Sequence, residues 1–182
     1  MHDSHQNLKP ENTHRLFLAL LPDPQTVNRL TKLQEGIEGR KTPRGNLHLT
    51  LMFLGSQPES RIPELATFID SLAFQAFDLC IDRRGFFSRL KISWAGIKEP
   101  PPMLAKLHQA IWDYCRRNSI LEYDMKRPFR PHITLARNAK PTGTPIPEPF
   151  IWHVTRLALM ESIISHERGR PAIYKVLHEK RA

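Results

Sequence analysis

Apolar and polar positions change period several times along the chain. Residues 14–21 (HRLFLALL) form a nearly continuous apolar run, which predicts a strand. Pro22, Asp23 and Pro24 stop it and start a helix to about Gly36, with Val27, Leu30, Leu33 and Ile37 at helical spacing. Residues 39–45 read as a basic loop. Residues 46–54 (NLHLTLMFL) alternate and end at Gly55, which predicts a second strand. A helix follows over 59–72, then two strands of a hairpin or meander over 77–87 and 90–97. Pro100, Pro101 and Pro102 introduce a long amphipathic helix with Leu104, Leu107, Ile111 and Tyr114 as its stripe. Residues 126–131 are a basic, proline-bounded loop, 132–137 a short strand and 141–149 a Pro-rich connector. Strands over 152–162 and 172–177 close the chain.

This order predicts an α+β fold with antiparallel or mixed sheets covered by helices on one side. Residues 1–13 read as a flexible polar tail and 14–182 as a single domain. No Gly-rich phosphate loop of the Rossmann or Walker type interrupts the pattern.

Composition narrows the class. Hydrophobic residues at 40% and charged residues at 25% describe an ordinary soluble globular chain. The net charge of +9 favours an anionic partner, but the basic residues fall in short pairs such as Arg83-Arg84, Arg116-Arg117 and Lys126-Arg127. Cys80 and Cys115 have no metal or redox spacing and read as free thiols of a reducing compartment. No signal peptide or membrane span is evident, so the expectation is a cytoplasmic protein with no membrane partner.

The chemistry-bearing feature is a repeated word. His48-Leu49-Thr50-Leu51 recurs as His132-Ile133-Thr134-Leu135. A bare His-x-Thr triplet is expected roughly once in every two chains of this composition, but with the apolar middle residue and following leucine the figure falls to about 0.02. On a strand, alternate residues share a face. Leu47, Leu49, Leu51 and Phe53 therefore take one face and His48 and Thr50 the other. Ile133 and Leu135 likewise oppose His132 and Thr134. Two histidines across one phosphate could supply the base that activates water and the acid that protonates the leaving oxygen, with the threonine hydroxyls donating to non-bridging oxygens. This chemistry needs neither metal nor cofactor, and no metal-binding motif is present. Which histidine is acid and which is base stays open on these residues alone.

The paired words, with RLFLAL, NLHLTLMFLG and RPFRPHITLAR, resemble the 2H phosphoesterase superfamily, and within it the bacterial RNA 2′,3′-cyclic phosphodiesterases, also called 2′-5′ RNA ligases. The resemblance runs from about Arg15 to Tyr174. It implies a bilobal pseudo-twofold fold, two antiparallel sheets facing a central groove with helices outside. It implies His48 as proton donor to the departing 3′ oxygen, His132 as proton acceptor from water, and Thr50 and Thr134 as phosphate holders. The implied reaction opens an RNA 2′,3′-cyclic phosphate to a 2′-phosphomonoester, with a reversible 2′-5′ joining reaction in related enzymes.

Other residues complete the expectation. Arg130 shares the parity of His132 and could reach a substrate phosphate. Phe17 could stack a base, although a core role suits it better, as it does Trp94 and Trp152. Lys126 and Arg127 would attract anions generally, and Arg168 and Arg170 could line a rim. The remaining histidines read as surface or packing residues. The expected partner is an RNA end carrying a cyclic phosphate, met by a monomer. A binding module without chemistry, or an enzyme for small cyclic nucleotides or 2′-5′ linked oligomers, are the competing readings.

Overall fold

The computed structural model describes residues 12–121, 128–141, 145–164 and 171–182. Its strands are β1 (Thr13–Leu20), β2 (Arg40–Lys41), β3 (Leu49–Pro58), β4 (Phe77–Ile81), β5 (Arg83–Phe87), β6 (Ile92–Gly96), β7 (His132–Arg137), β8 (Phe150–Val154), β9 (Arg156–Ile163) and β10 (Ile173–Arg181). Its helices are α1 (Pro24–Leu33), α2 (Arg61–Ser71) and α3 (Pro102–Arg117).

Local chemistry accounts for the helix starts. Pro24 opens α1, and the Asp23 carboxylate accepts from the amides of Gln25 and Thr26 at 2.8 and 3.0 Å. Pro102 opens α3, whose Leu104, Leu107, Ile111 and Cys115 are buried. Tyr114, at the edge of that stripe, stacks on Phe68 of α2 at 3.6 Å.

The strands form two antiparallel sheets, giving the expected α+β class. The larger runs β10-β9-β1-β3-β7-β6-β5, with β2 added beside β7; the smaller pairs β4 with β8. Between β3 and β7 the ladder holds a single pair, Leu49 with Ile133. The larger sheet thus consists of two halves joined at one rung between the two His-x-Thr words.

Alternation along β1 shows how the faces are used. Leu16, Leu18 and Leu20 enter the main core with Leu30 and Leu33 of α1, Leu65 and Ile69 of α2, and Leu104 and Ile111 of α3. Phe17 and Ala19 face the other way, into a small cluster with Leu21, Ala158 and Met160. Helices therefore cover one face, and the groove lies on the other.

Several expectations change. Residues 77–87 are two strands, because Asp82 leaves the ladder and its carboxylate accepts from the Lys98 amide at 2.8 Å. Residues 152–162 likewise split at Thr155, β8 joining β4 and β9 joining β1. The strand expected to end at Gly55 continues to Pro58, with Gly55 at φ 74° taking up an irregularity opposite Leu16. The basic loop 39–45 contains β2. Thr13 belongs to β1 rather than to a tail; residues 1–11 lie outside the described residues, as do Lys126, Arg127, Arg168 and Arg170. Among the described residues, no helix is long and apolar enough to cross a membrane.

Candidate active site

His48 immediately precedes β3 and His132 opens β7, so the single Leu49–Ile133 rung sets the two words side by side in opposite directions. Both histidines and both threonines line one groove of about 800 Å³. The two imidazoles are anchored alike. His48 Nδ1–H donates to the Asn46 carbonyl at 2.7 Å, and His132 Nδ1–H donates to the Arg130 carbonyl at 2.7 Å. Each is a bond to the residue two positions back. It assigns the proton to Nδ1 and leaves Nε2 as the basic nitrogen of each neutral ring. On the first side, the Thr50 hydroxyl donates to His48 Nε2 at 3.0 Å.

Aromatic rings hold each imidazole. Phe17 lies 5.1 Å from the His48 ring and Tyr174 meets it edge-on at 5.2 Å. Phe87 meets His132 edge-on at 5.0 Å, with Trp94 behind it at 6.4 Å. Trp94 in turn lies against Gly85, its partner across the ladder, where any Cβ would collide with the indole.

Burial among these rings disfavours the charged imidazolium. It pushes the His48 pKa down from 6.5 to about 4, with the positive charges of His132 and Arg137 adding to the effect. His132 is lowered as well, again chiefly by burial and further by Arg137, while its bond to the Arg130 carbonyl opposes the shift.

A matched irregularity lies just after each word. The pairing of β3 with β1 skips Leu51, since Ala19 pairs with Thr50 and Leu18 with Met52. The pairing of β7 with β6 skips Leu135, since Trp94 pairs with Thr134 and Ser93 with Ala136. An extra residue at that point reverses the parity of the residues beyond it. Met52 and Ala136 are therefore buried, and Phe53 and Arg137 come into the groove. Strict alternation had placed Phe53 on the greasy face with Leu47, Leu49 and Leu51. Those three are buried, but Phe53 is 58% exposed. The signal was available, because each word ends in Leu and leads to an apolar residue and then Phe53 or Arg137, but alternation alone cannot show a bulge.

The remaining expectations sort clearly. Phe17 is 2% exposed, so it serves as the floor beneath His48. Trp152 is fully buried in the core. The Arg130 side chain is exposed and lines an adjoining cavity of about 1010 Å³ with His132 and Phe129. Of the other histidines, His14 pairs with Glu161, His153 with Asp78 and His178 with Asp70, and His108 stacks on Phe129. His2, His5 and His166 lie outside the described residues. Cys80 and Cys115 are free thiols. Tyr174 and Asn46 are groove residues outside the sequence expectation; the Asn46 amide donates to the Ala172 carbonyl at 2.7 Å, tying the residue before β10 to the turn that leads into His48. No cluster of three metal-ligating side chains occurs among the described residues.

A family model described as the 2′-5′ RNA ligase superfamily matches residues 22–162. The chain belongs to the 2′-5′ RNA ligase superfamily. Within this superfamily it is 34% identical over 134 residues to the RNA 2′,3′-cyclic phosphodiesterase of Escherichia coli K12, covering 72% of this chain and 74% of the relative. It is 28% identical to the protein of that name from Thermus thermophilus over 178 residues, 91% and 88% of the two chains. The superfamily fold is equally evident in the crystal structure of E. coli LigT in apo form, with a TM-score of 0.79, 30% identity and coverage of 93% of this chain and 97% of that one. E. coli LigT has also been solved complexed with 3′-AMP, at a TM-score of 0.77, 28% identity and coverage of 93% and 98%.

Proposed function

We propose that the chain is an RNA 2′,3′-cyclic phosphodiesterase that opens a terminal cyclic phosphate to a 2′-phosphomonoester. The observation that carries the reading is the pair of opposed His/Thr couples, each imidazole anchored through Nδ1 so that its Nε2 is left for chemistry. The relatives' shared name and the nucleotide bound in the LigT complex support the same substrate class.

In the proposed reaction, His132 Nε2 takes a proton from water as its oxygen attacks phosphorus. The bond from phosphorus to the 3′ oxygen breaks, and protonated His48 gives its Nε2 proton to that oxygen. Proton exchange with solvent restores both rings. Thr50 and Thr134 donate to the non-bridging oxygens, and the Arg137 guanidinium balances the charge that accumulates there. Phe53, exposed at the other side of the groove, offers a stacking face for the terminal base. Arg130 acts through its backbone carbonyl, with its side chain a peripheral attraction for phosphate. Both couples come from one chain, so a monomer suffices.

The test is incubation of purified protein in EDTA with a short RNA ending in a 2′,3′-cyclic phosphate. The expected product is the 2′-phosphomonoester. A 3′-phosphomonoester would reverse the leaving group, and nucleotide binding with no product over long incubation would favour a binding module.

A further inference from the structure

The single rung between the half-sheets leaves a second opening beside His132. Beyond Leu49 and Ile133 the ladder stops, and β3 runs on to Pro58 without further pairs to β7. The chain entering β7 carries Pro128 and Pro131, which have no backbone N–H with which to extend that ladder. The cavity of about 1010 Å³ opens where the two segments part, bounded further by the end of β5 and by α3. It adjoins the catalytic groove, because Thr50, Phe53, Phe87, Leu90 and His132 line both.

Its lining has a distinct chemistry. Phe53, Phe86, Phe87, Trp112 and Phe129 all border it, and none of them is fully buried. The Phe129 ring is held by the His108 imidazole of α3, stacked on it at 3.9 Å with 12° between the planes. Burial lowers the His108 pKa, so this partner is neutral at pH 7. The fixed charges are those of the exposed Arg89 and Arg130, and no Asp or Glu is among the described lining residues. Aromatic faces, arginines and no carboxylate together fit a base stacked beside a phosphodiester. The volume is ample for a nucleotide.

We propose that this cleft binds the base of the penultimate nucleotide, stacked at Trp112 and Phe129, while the terminal nucleotide presents its cyclic phosphate to His48 and His132. The inference rests on the proposed cyclic phosphodiesterase reading and deepens it. The preferred substrate is accordingly an RNA chain of at least two nucleotides rather than a mononucleotide. Arg89 and Arg130 attract the backbone that links the two. Stacking accepts every base, so the cleft reads the presence of an upstream base more than its identity.

The experiment compares two dinucleotides that end in the same adenosine 2′,3′-cyclic phosphate and carry the same linking phosphate. One has an upstream adenine and the other an abasic upstream ribose. In the first arm kcat/KM is measured for each. In the second arm the two corresponding 2′-phosphomonoesters are bound in calorimetry, which reads the cleft without requiring turnover. The upstream base is expected to raise kcat/KM and affinity about tenfold in the wild type. That ratio should collapse towards one in Phe129→Leu and Trp112→Leu, which keep apolar bulk but lose the stacking face, and should persist in Phe129→Tyr and Trp112→Phe. Each ratio is taken within one protein, so a general loss of folded material cancels. Equal values for the two dinucleotides in the wild type, or a ratio that survives both leucine variants, would overturn the subsite. Base-dependent binding with no hydrolysis of either cyclic substrate would overturn the catalytic reading and leave the subsite standing.

Discussion

His48 and His132 are chemically alike and similarly anchored, yet their surroundings differ. His48 is wedged between Phe17 and Tyr174 with Thr50 on its Nε2, whereas His132 sits beside Phe87 and the exposed Arg130. Replacing either by alanine should cost about 10²–10⁴-fold in kcat. An activated diester with a nitrophenyl leaving group separates the roles. It should restore much of the rate to His48→Ala, since that leaving group needs no proton, and little to His132→Ala. Rescue of His132→Ala instead would exchange acid and base. Both imidazoles titrate below 6.5 in the free protein, so kcat/KM should peak on the acid side of pH 6.5. The same depression affects stability. A histidine whose folded pKa is lowered makes the unfolded chain bind more protons between the two pKa values. The contribution of His48 is therefore fully present above about pH 6.5 and is lost as pH falls through about 4. Thermal melts across that range should show His48→Gln losing less stability on acidification than the wild type. An identical pH dependence for both would contradict the buried, neutral imidazole.

At the scale of elements, regular periodicity was readable and interruptions were not. The stripe of α3 and the alternation of Leu47, Leu49 and Leu51 follow from local pattern, because burial of one face dictates both. Phe53 and Arg137 were misplaced or passed over because an extra residue at Leu51 and Leu135 appears only when the partner strand is known. Tyr174 arrives from the far end of the chain, a contact no local window contains. The breaks at Asp82 and Thr155 arise because neighbouring residues join different sheets. Phe17 is packed within a run, Leu16 to Leu20, in which every residue is buried. Glycine contacts make an element-level prediction. Gly85→Ala would force the Trp94 indole off its bed and disturb the ring beside His132. It should destabilise the protein by about 1–3 kcal/mol in urea unfolding and lower kcat. Wild-type stability in that variant would show that the indole can move freely.

The whole molecule is two half-sheets joined at one rung, with helices behind and the groove in front. The arrangement brings a pair of short words, 84 positions apart in sequence, into one site. Pseudo-symmetry supplies a matching imidazole on each side of the groove. The different residues after the bulges, Phe53 and Arg137, break that symmetry, and in the proposed reaction they would give the substrate a direction. With +9 overall and a groove lined by cations, the affinity for an RNA end should fall linearly in log–log form as salt rises, more steeply for longer oligomers. A salt-independent affinity would argue for a small neutral ligand. The most direct test of the central claim is single-turnover hydrolysis of an RNA 2′,3′-cyclic phosphate by the wild type, His48→Ala and His132→Ala, each verified as folded by its melting curve. The proposed mechanism predicts rapid formation of the 2′-phosphomonoester by the wild type and a loss of at least about 100-fold in both variants. Wild-type rates in both folded variants would contradict it.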